Sequence, residues 1–297
     1  MLRARSGHLE VEWSAREVYE HSCGVLDMLE AGMAGQPEIV QLHATLDDVG
    51  TCGKDGISAV AGYVVYHSEW KKFNWRWMMS LGQLNWPYLH TAKYLNEFPL
   101  VGRSGPLSDD DIRVILAPFI ETVKDALLGN GGTPICVITE CDAYDKLTRE
   151  QKKFIRPPEE HSFEMALYLA CSCLKSEINI SNRIAVQMDE SGNAPKLYAR
   201  YEALKRENSA MKSQLTALCF CDDQGHPPVQ AADMLANVVL KTWRDIVSGG
   251  NGSRAFRELT TTQGAPRMRL LHYDAARLSA FADKRMAAKN RMDLQEN

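Results

Sequence analysis

Apolar positions along this chain follow two rhythms, one of period two and one near period 3.6. Between Glu38 and Leu46, Val40, Leu42, Ala44 and Leu46 alternate with other residues, as in a strand with one buried face. The nearly continuous apolar run from Ile57 to Tyr66 predicts a second strand. Asp55-Gly56 just before it is turn chemistry that would join the two as a hairpin. Ahead of them, Ser14 to Gly32 reads as a helix. Ser14 and Glu17 form its capping box, Gly32 or Gly35 ends it, and Val18, Cys23, Leu26 and Leu29 lie on its apolar face. Glu69 to Leu84 predicts an aromatic-rich helix packed on the sheet through Trp70, Phe73, Trp75 and Trp77, with Trp86 after it. The neighbouring Lys71, Lys72 and Arg76 leave a base-stacking platform as the alternative.

The same alternation continues downstream. Ser108 caps a helix opened by Asp109-Asp110-Asp111 and bent at Pro118. The three acids read as helix-dipole charges in preference to a metal site. Pro134 to Thr139 is a short strand, and Pro157-Pro158 open a helix to about Lys175. Arg183 to Met188 is a strand, Pro195 to Asn208 an amphipathic helix, and Gln214 to Cys221 a strand. Val229 to Val247 is the most apolar helix of the chain. Gly249 to Gly252 reads as a flexible break, followed by a strand-like Met268 to His272 and a basic helix from Asp274 to about Met292. Strands alternating with helices after a hairpin predict an α/β fold with a mixed sheet. The expected division is an N-terminal helical extension (1–38), a main domain (39–248) and a basic C-terminal extension packed on or following the core (249–297).

Composition narrows the chemistry. With 297 residues, 45% hydrophobic and 24% charged, the chain is globular in type, neither disordered nor fibrous. A net charge of -4 provides no bulk attraction for nucleic acid, so binding would need metal ions or a local basic surface. Arg254, Arg257, Arg267, Arg269, Arg277, Lys284, Arg285, Lys289 and Arg291 are candidates for that surface, a solvated helix face being the plainer reading. There is no apolar signal core and no apolar run of about 18 residues, so a cytoplasmic protein without a membrane partner is expected. The eight cysteines are expected to be reduced, buried thiols. Neither Cys171/Cys173 nor Cys219/Cys221 has zinc-knuckle spacing.

Three acidic positions carry candidate chemistry. Asp47 and Asp48 follow the first strand, and Asp189 and Glu190 follow a later one. Asp233 stands inside Ala231-Ala232-Asp233-Met234-Leu235-Ala236, where a carboxylate is costly unless paired or bound to metal. Gln230 lies one turn earlier on the same face. Asp47 to Gly50 and Asp189 to Gly192 are also ordinary turn sequences. If the carboxylates converge they require cations. Hard oxygen donors suit Mg²⁺ or Mn²⁺, and such a site can clamp a phosphodiester and activate water. The chain has no glycine-rich phosphate loop, no Gly-x-Ser-x-Gly elbow and no His-Glu-x-x-His helix.

The succession Leu46-Asp47-Asp48-Val49-Gly50, Ala61-Gly62-Tyr63-Val64-Val65, Asp189 and Gln230-Ala231-Ala232-Asp233-Met234-Leu235-Ala236 resembles the bacterial and phage family catalogued as domain of unknown function 3800. The resemblance spans roughly Val40 to Val247. It implies an RNase H-like mixed sheet flanked by helices, and a divalent-metal-dependent nuclease. Asp47 takes the place of the leading acid, and Asp48 that of the usual Glu. Val49 stands where the family often has Ser. Asp189 would be the middle metal ligand, with Asp142 as competitor, and Gln230 and Asp233 match the last motif. His90 resembles a histidine of relatives that could contact phosphate or move a proton. The alternatives are another phosphate-processing enzyme on the same metal site, or a non-catalytic component of a mobile-element or phage-defence system. A protein partner or homo-oligomer fits the latter.

Overall fold

The computed structural model describes residues 2–5, 8–11, 41–97, 108–174, 183–262 and 265–295. The predicted helix Ser14 to Gly32 lies outside them. Within the expected helical extension the described residues form an antiparallel hairpin, Leu2–Arg5 with His8–Val11.

A six-stranded sheet organises the rest. Its strands are β1 (Gln41–Val49), β2 (Ile57–Tyr66), β3 (Thr133–Glu140), β4 (Arg183–Asp189), β5 (Leu215–Cys221) and β6 (Arg269–Tyr273). They lie in the order β6-β3-β2-β1-β4-β5. β2 runs antiparallel to β1 and β3, and every other pair is parallel. The C-terminal ends of five strands therefore share one edge, where open α/β sheets place their ligands. β2 is apolar on both sides because helices cover both sides of it. At its middle, a Cβ on Gly62 would lie 1.8 Å from the Thr45 carbonyl oxygen, so only glycine permits this approach to β1.

One face is covered by α1 (His67–Leu84), α2 (Asp109–Ala126) and α5 (Pro227–Val247). Trp70, Phe73 and Trp77 of α1 are fully buried there, with successive ring centroids 5.2 and 5.0 Å apart. Packing is thus their role, but Trp75, expected to pack with them, is instead 59% exposed because it lies on the helix's outward face. The opposite face is covered by α3 (Pro158–Leu174), α4 (Ala194–Glu207) and α6 (Ala275–Gln295). Leu278 and Ala282 of α6 are buried in that core, and β6 completes the sheet, so the C-terminal region is part of the main fold.

Two expectations are corrected. Cys52 and Cys141 form a disulfide, so not all the thiols are reduced. The turn before β2 brings the two segments together: Cys141 N donates to Gly56 O at 2.9 Å, and the two Cα atoms stand 5.4 Å apart. Cys136, Cys171, Cys173, Cys219 and Cys221 stay outside disulfides, as expected. The glycine segment after α5 is an ordered turn. Gly250 N and Gly252 N donate to the Asp245 carbonyl (2.8 Å) and carboxylate (2.7 Å), and Gly249 and Gly252 take positive φ. Among the described residues no helix is long and apolar enough to cross a membrane.

Candidate functional site

The parallel pairing of β1 with β4 sets Leu46 opposite Met188, and one further step places Asp47 beside Asp189. Alternation along each strand then decides the faces. Leu42, Ala44, Leu46, Ile184, Val186 and Met188 point toward α3 and α4, so Asp47 and Asp189 point toward α5. Asp233 is on α5, one turn after Gln230. Three predicted acids from three separate segments thus meet at the sheet's C-terminal edge.

Their proximity is visible in their electrostatics. Asp47 is 6% exposed. Burial, then the charges of Asp233, Asp189 and Asp48, push its pKa well above the usual carboxylate range. Asp189 is pushed up to about 7 by burial and by Asp223 and Asp233. Burial also raises Asp233, although the Thr91 amide and the charge of His90 pull it back. Two hydrogen bonds fix the Asp233 carboxylate: Thr91 N donates to Oδ2 (2.7 Å) and Asn237 Nδ2 donates to Oδ1 (2.7 Å).

Asp48, one residue on, has Ser191 and Glu159 as neighbours. Burial raises it and the Ser191 hydroxyl opposes the shift. Gln230 is buried and fully engaged. Its Oε1 accepts from Trp77 Nε1 (2.8 Å) and Leu89 N (3.0 Å), and its Nε2 donates to Asp223 O (2.8 Å) and Gln224 O (3.3 Å). It therefore holds two loops in place and offers no free atom to a ligand. One of these loops carries His90, whose Nδ1 lies 3.0 Å from Asp223 Oδ2 and 3.9 Å from Asp233 Oδ1. Asp223 outweighs burial, Asp233 and Asp189 add to it, and the His90 pKa is raised.

Asp223 was not among the sequence-predicted residues. It follows β5, so its signal is the one that marks Asp47 and Asp189, an acid at the end of a strand. Asp142 does not join the group. It is exposed on the short helix Cys141–Asp145 after β3, two strands from β1 and so about 10 Å away across the sheet.

Much of the basic C-terminal region is engaged within the chain. Arg254 and Arg285 pair with Glu258 and Glu164, Arg269 donates to Ser172 Oγ, and Arg267 and Arg277 reach the Leu128 and His272 carbonyls. Lys284, Lys289 and Arg291 are exposed on α6.

The acidic group offers hard carboxylate oxygens to a cation. Among the described residues, however, no three His, Cys, Asp or Glu side chains stand in an arrangement ready to hold a metal ion. No known protein family and no curated protein matches the chain.

Proposed function

We propose that this chain is a divalent-metal-dependent nuclease of RNase H-like fold, related to the domain of unknown function 3800 family. The observation that carries this reading is the convergence of Asp47, Asp189 and Asp233 from β1, β4 and α5, close enough to raise one another's pKa. An antiparallel β1-β2-β3 meander, extended by parallel β4 and β5, supports the fold assignment. Buried carboxylates that repel one another are relieved by a cation, and an all-oxygen donor set suits Mg²⁺ or Mn²⁺. Asp47, Asp189 and Asp233 would hold it. When bound, it would polarise a phosphodiester and lower the pKa of a water.

The chain's own residues prepare that site. Thr91 N and Asn237 orient Asp233, and Gln230 fixes the loops bearing His90 and Asp223. His90, half-exposed and with its pKa raised by Asp223, favours the cationic form where a nucleic-acid phosphate would arrive. The test is hydrolysis of DNA and RNA with Mg²⁺ or Mn²⁺. Asp47→Ala and Asp233→Ala should each lose about 100-fold or more of the rate, the several kcal/mol such a cation supplies. Unchanged rates in folded variants remove both residues from the mechanism.

A second reading, a non-catalytic component of a mobile-element or phage-defence system, is favoured by one observation. No ready-made metal-holding group exists among the described residues. Calorimetric titration separates the two: absence of Mg²⁺ and Mn²⁺ uptake by the folded chain supports this second reading.

A further inference from the structure

On β5, beside the acidic site, two sulfurs stand in contact. Cys219 and Cys221 lie two residues apart in a strand, so their side chains leave the same face. Their Sγ atoms are 3.7 Å apart. Cys221 is buried and Cys219 is half-buried. The strand register sets Gln187 of β4 beside Cys219 and Asp189 beside Cys221. Gln187 reaches diagonally, its Nε2 donating to Cys221 Sγ at 3.2 Å.

Apolar packing accounts for other cysteines but not for these two. Cys136 belongs to one apolar core, and Cys171 and Cys173 belong to the other. Cys219 and Cys221 belong to neither, and the β5 residues that pack on a core beside them are Leu218 and Phe220, on the opposite face. Nor is a disulfide between them favoured. Residues two apart in a strand have Cα atoms about 6.6 Å apart, near the upper limit for a disulfide and beyond its usual value of about 5.5–6 Å. The sulfur separation instead suits an ion held between them. A tetrahedral ion with metal–sulfur bonds of about 2.3 Å keeps two sulfurs roughly 3.8 Å apart. The Gln187 amide supplies the outer hydrogen bond that metal-bound side chains characteristically receive. Thiolates select a soft ion such as Zn²⁺ over Mg²⁺ or Mn²⁺, so the pair is chemically distinct from the carboxylates.

We propose that Cys219 and Cys221 bind one Zn²⁺ ion as thiolates, each releasing its proton to solvent, with Gln187 as a positioning residue. Among the described residues no three His, Cys, Asp or Glu side chains form a closed set, so water completes the tetrahedron and the ion is exchangeable, as at open zinc sites. Cd²⁺ takes the place of Zn²⁺ on thiolates and gives an ultraviolet sulfur-to-metal band, so it is the probe on the full chain, with excess Mg²⁺ present to occupy the carboxylates. The band should saturate at one equivalent, be displaced by Zn²⁺ and persist in Asp47→Ala, which keeps this test separate from the nuclease reading. Cys219→Ser and Cys221→Ser should each weaken Cd²⁺ binding by more than about 10-fold, and Gln187→Leu by about 10-fold, as for loss of an outer hydrogen bond. Circular dichroism verifies that the variants fold. Cys219 is only half-buried, so its replacement tests the site even where Cys221→Ser does not fold. Absence of a saturable band, a band that Zn²⁺ leaves in place, or undiminished binding in Cys219→Ser overturns the proposal. Loss of the band in Asp47→Ala assigns the ion to the carboxylates and overturns it as well. Undiminished binding in Gln187→Leu overturns the role of that residue.

Discussion

At the scale of the residue, side chains that resemble a catalytic motif divide into those facing the edge of the sheet and those holding them there. Gln230 belongs to the second group. Gln230→Ala would strand the Trp77 indole N–H and the Leu89 amide in a buried setting. At about 1–3 kcal/mol for each unsatisfied group, urea unfolding should show a loss of roughly 2–6 kcal/mol. Buried histidines add a pH dependence. Burial lowers His43 to about 3 and His161 to about 4, so both rings are neutral in the fold, whereas the unfolded chain protonates them near 6.5. Between those values the unfolded state binds more protons, so each histidine costs stability as the pH falls, at about 1.4 kcal/mol per unit. Comparison with His161→Phe isolates one of them. The variant should gain on the unmodified protein from pH 6.5 down to 4 and run parallel to it above 7, as read by thermal or urea unfolding. Asp233 was legible in the sequence because an apolar helix makes a carboxylate conspicuous. Asp223 was not, since a second strand-end acid draws notice only once β5 is known to lie beside β4. Asp142 carries the same local signal and misleads, because strand order decides which ends meet.

At the scale of the element, the acidic opening of α2 has two distinct functions. Asp111 completes a capping box with Ser108. Asp109 reaches across to the next helix and accepts from Ser253 Oγ (2.6 Å) and Arg254 N (2.7 Å). Asp110 is exposed and adds only dipole charge. Asp109→Ala should therefore lower stability by about 1–2 kcal/mol and Asp110→Ala by about 0.5 or less, measured as shifts in the urea midpoint. Most element positions were legible because alternation, caps and prolines all mark them locally. The ordered turn at Gly249 to Gly252 was not, because Asp245 organises it from within the preceding helix. Nor was the disulfide, since the hairpin brings together two cysteines 89 residues apart.

At the scale of the whole molecule, one buried carboxylate ties three helices together. Glu164 of α3 is fully buried and accepts from Arg200 of α4 (2.8 Å) and from Arg285 of α6. Burial pushes its pKa up, but Arg285 and Arg200 outweigh this and hold it below the usual range. Glu164→Gln leaves Arg285 without its charge partner and Arg200 with Glu207 alone, and should cost about 3 kcal/mol in unfolding experiments. Charge counting could not reveal this, because it treats Arg285 as one of several surface cations.

The position of β6 has a consequence in time. β3 pairs on one side with β2, made before it, and on the other with β6, residues Arg269–Tyr273. At a synthesis rate of about 5–20 residues per second, β3 waits on the order of ten seconds for that partner. During that interval an apolar strand has a bare edge, the kind of surface on which chains aggregate. Nascent chains halted before Arg269 should therefore be the ones that engage chaperones most strongly, and release of β6 should mark the moment at which the sheet becomes safe.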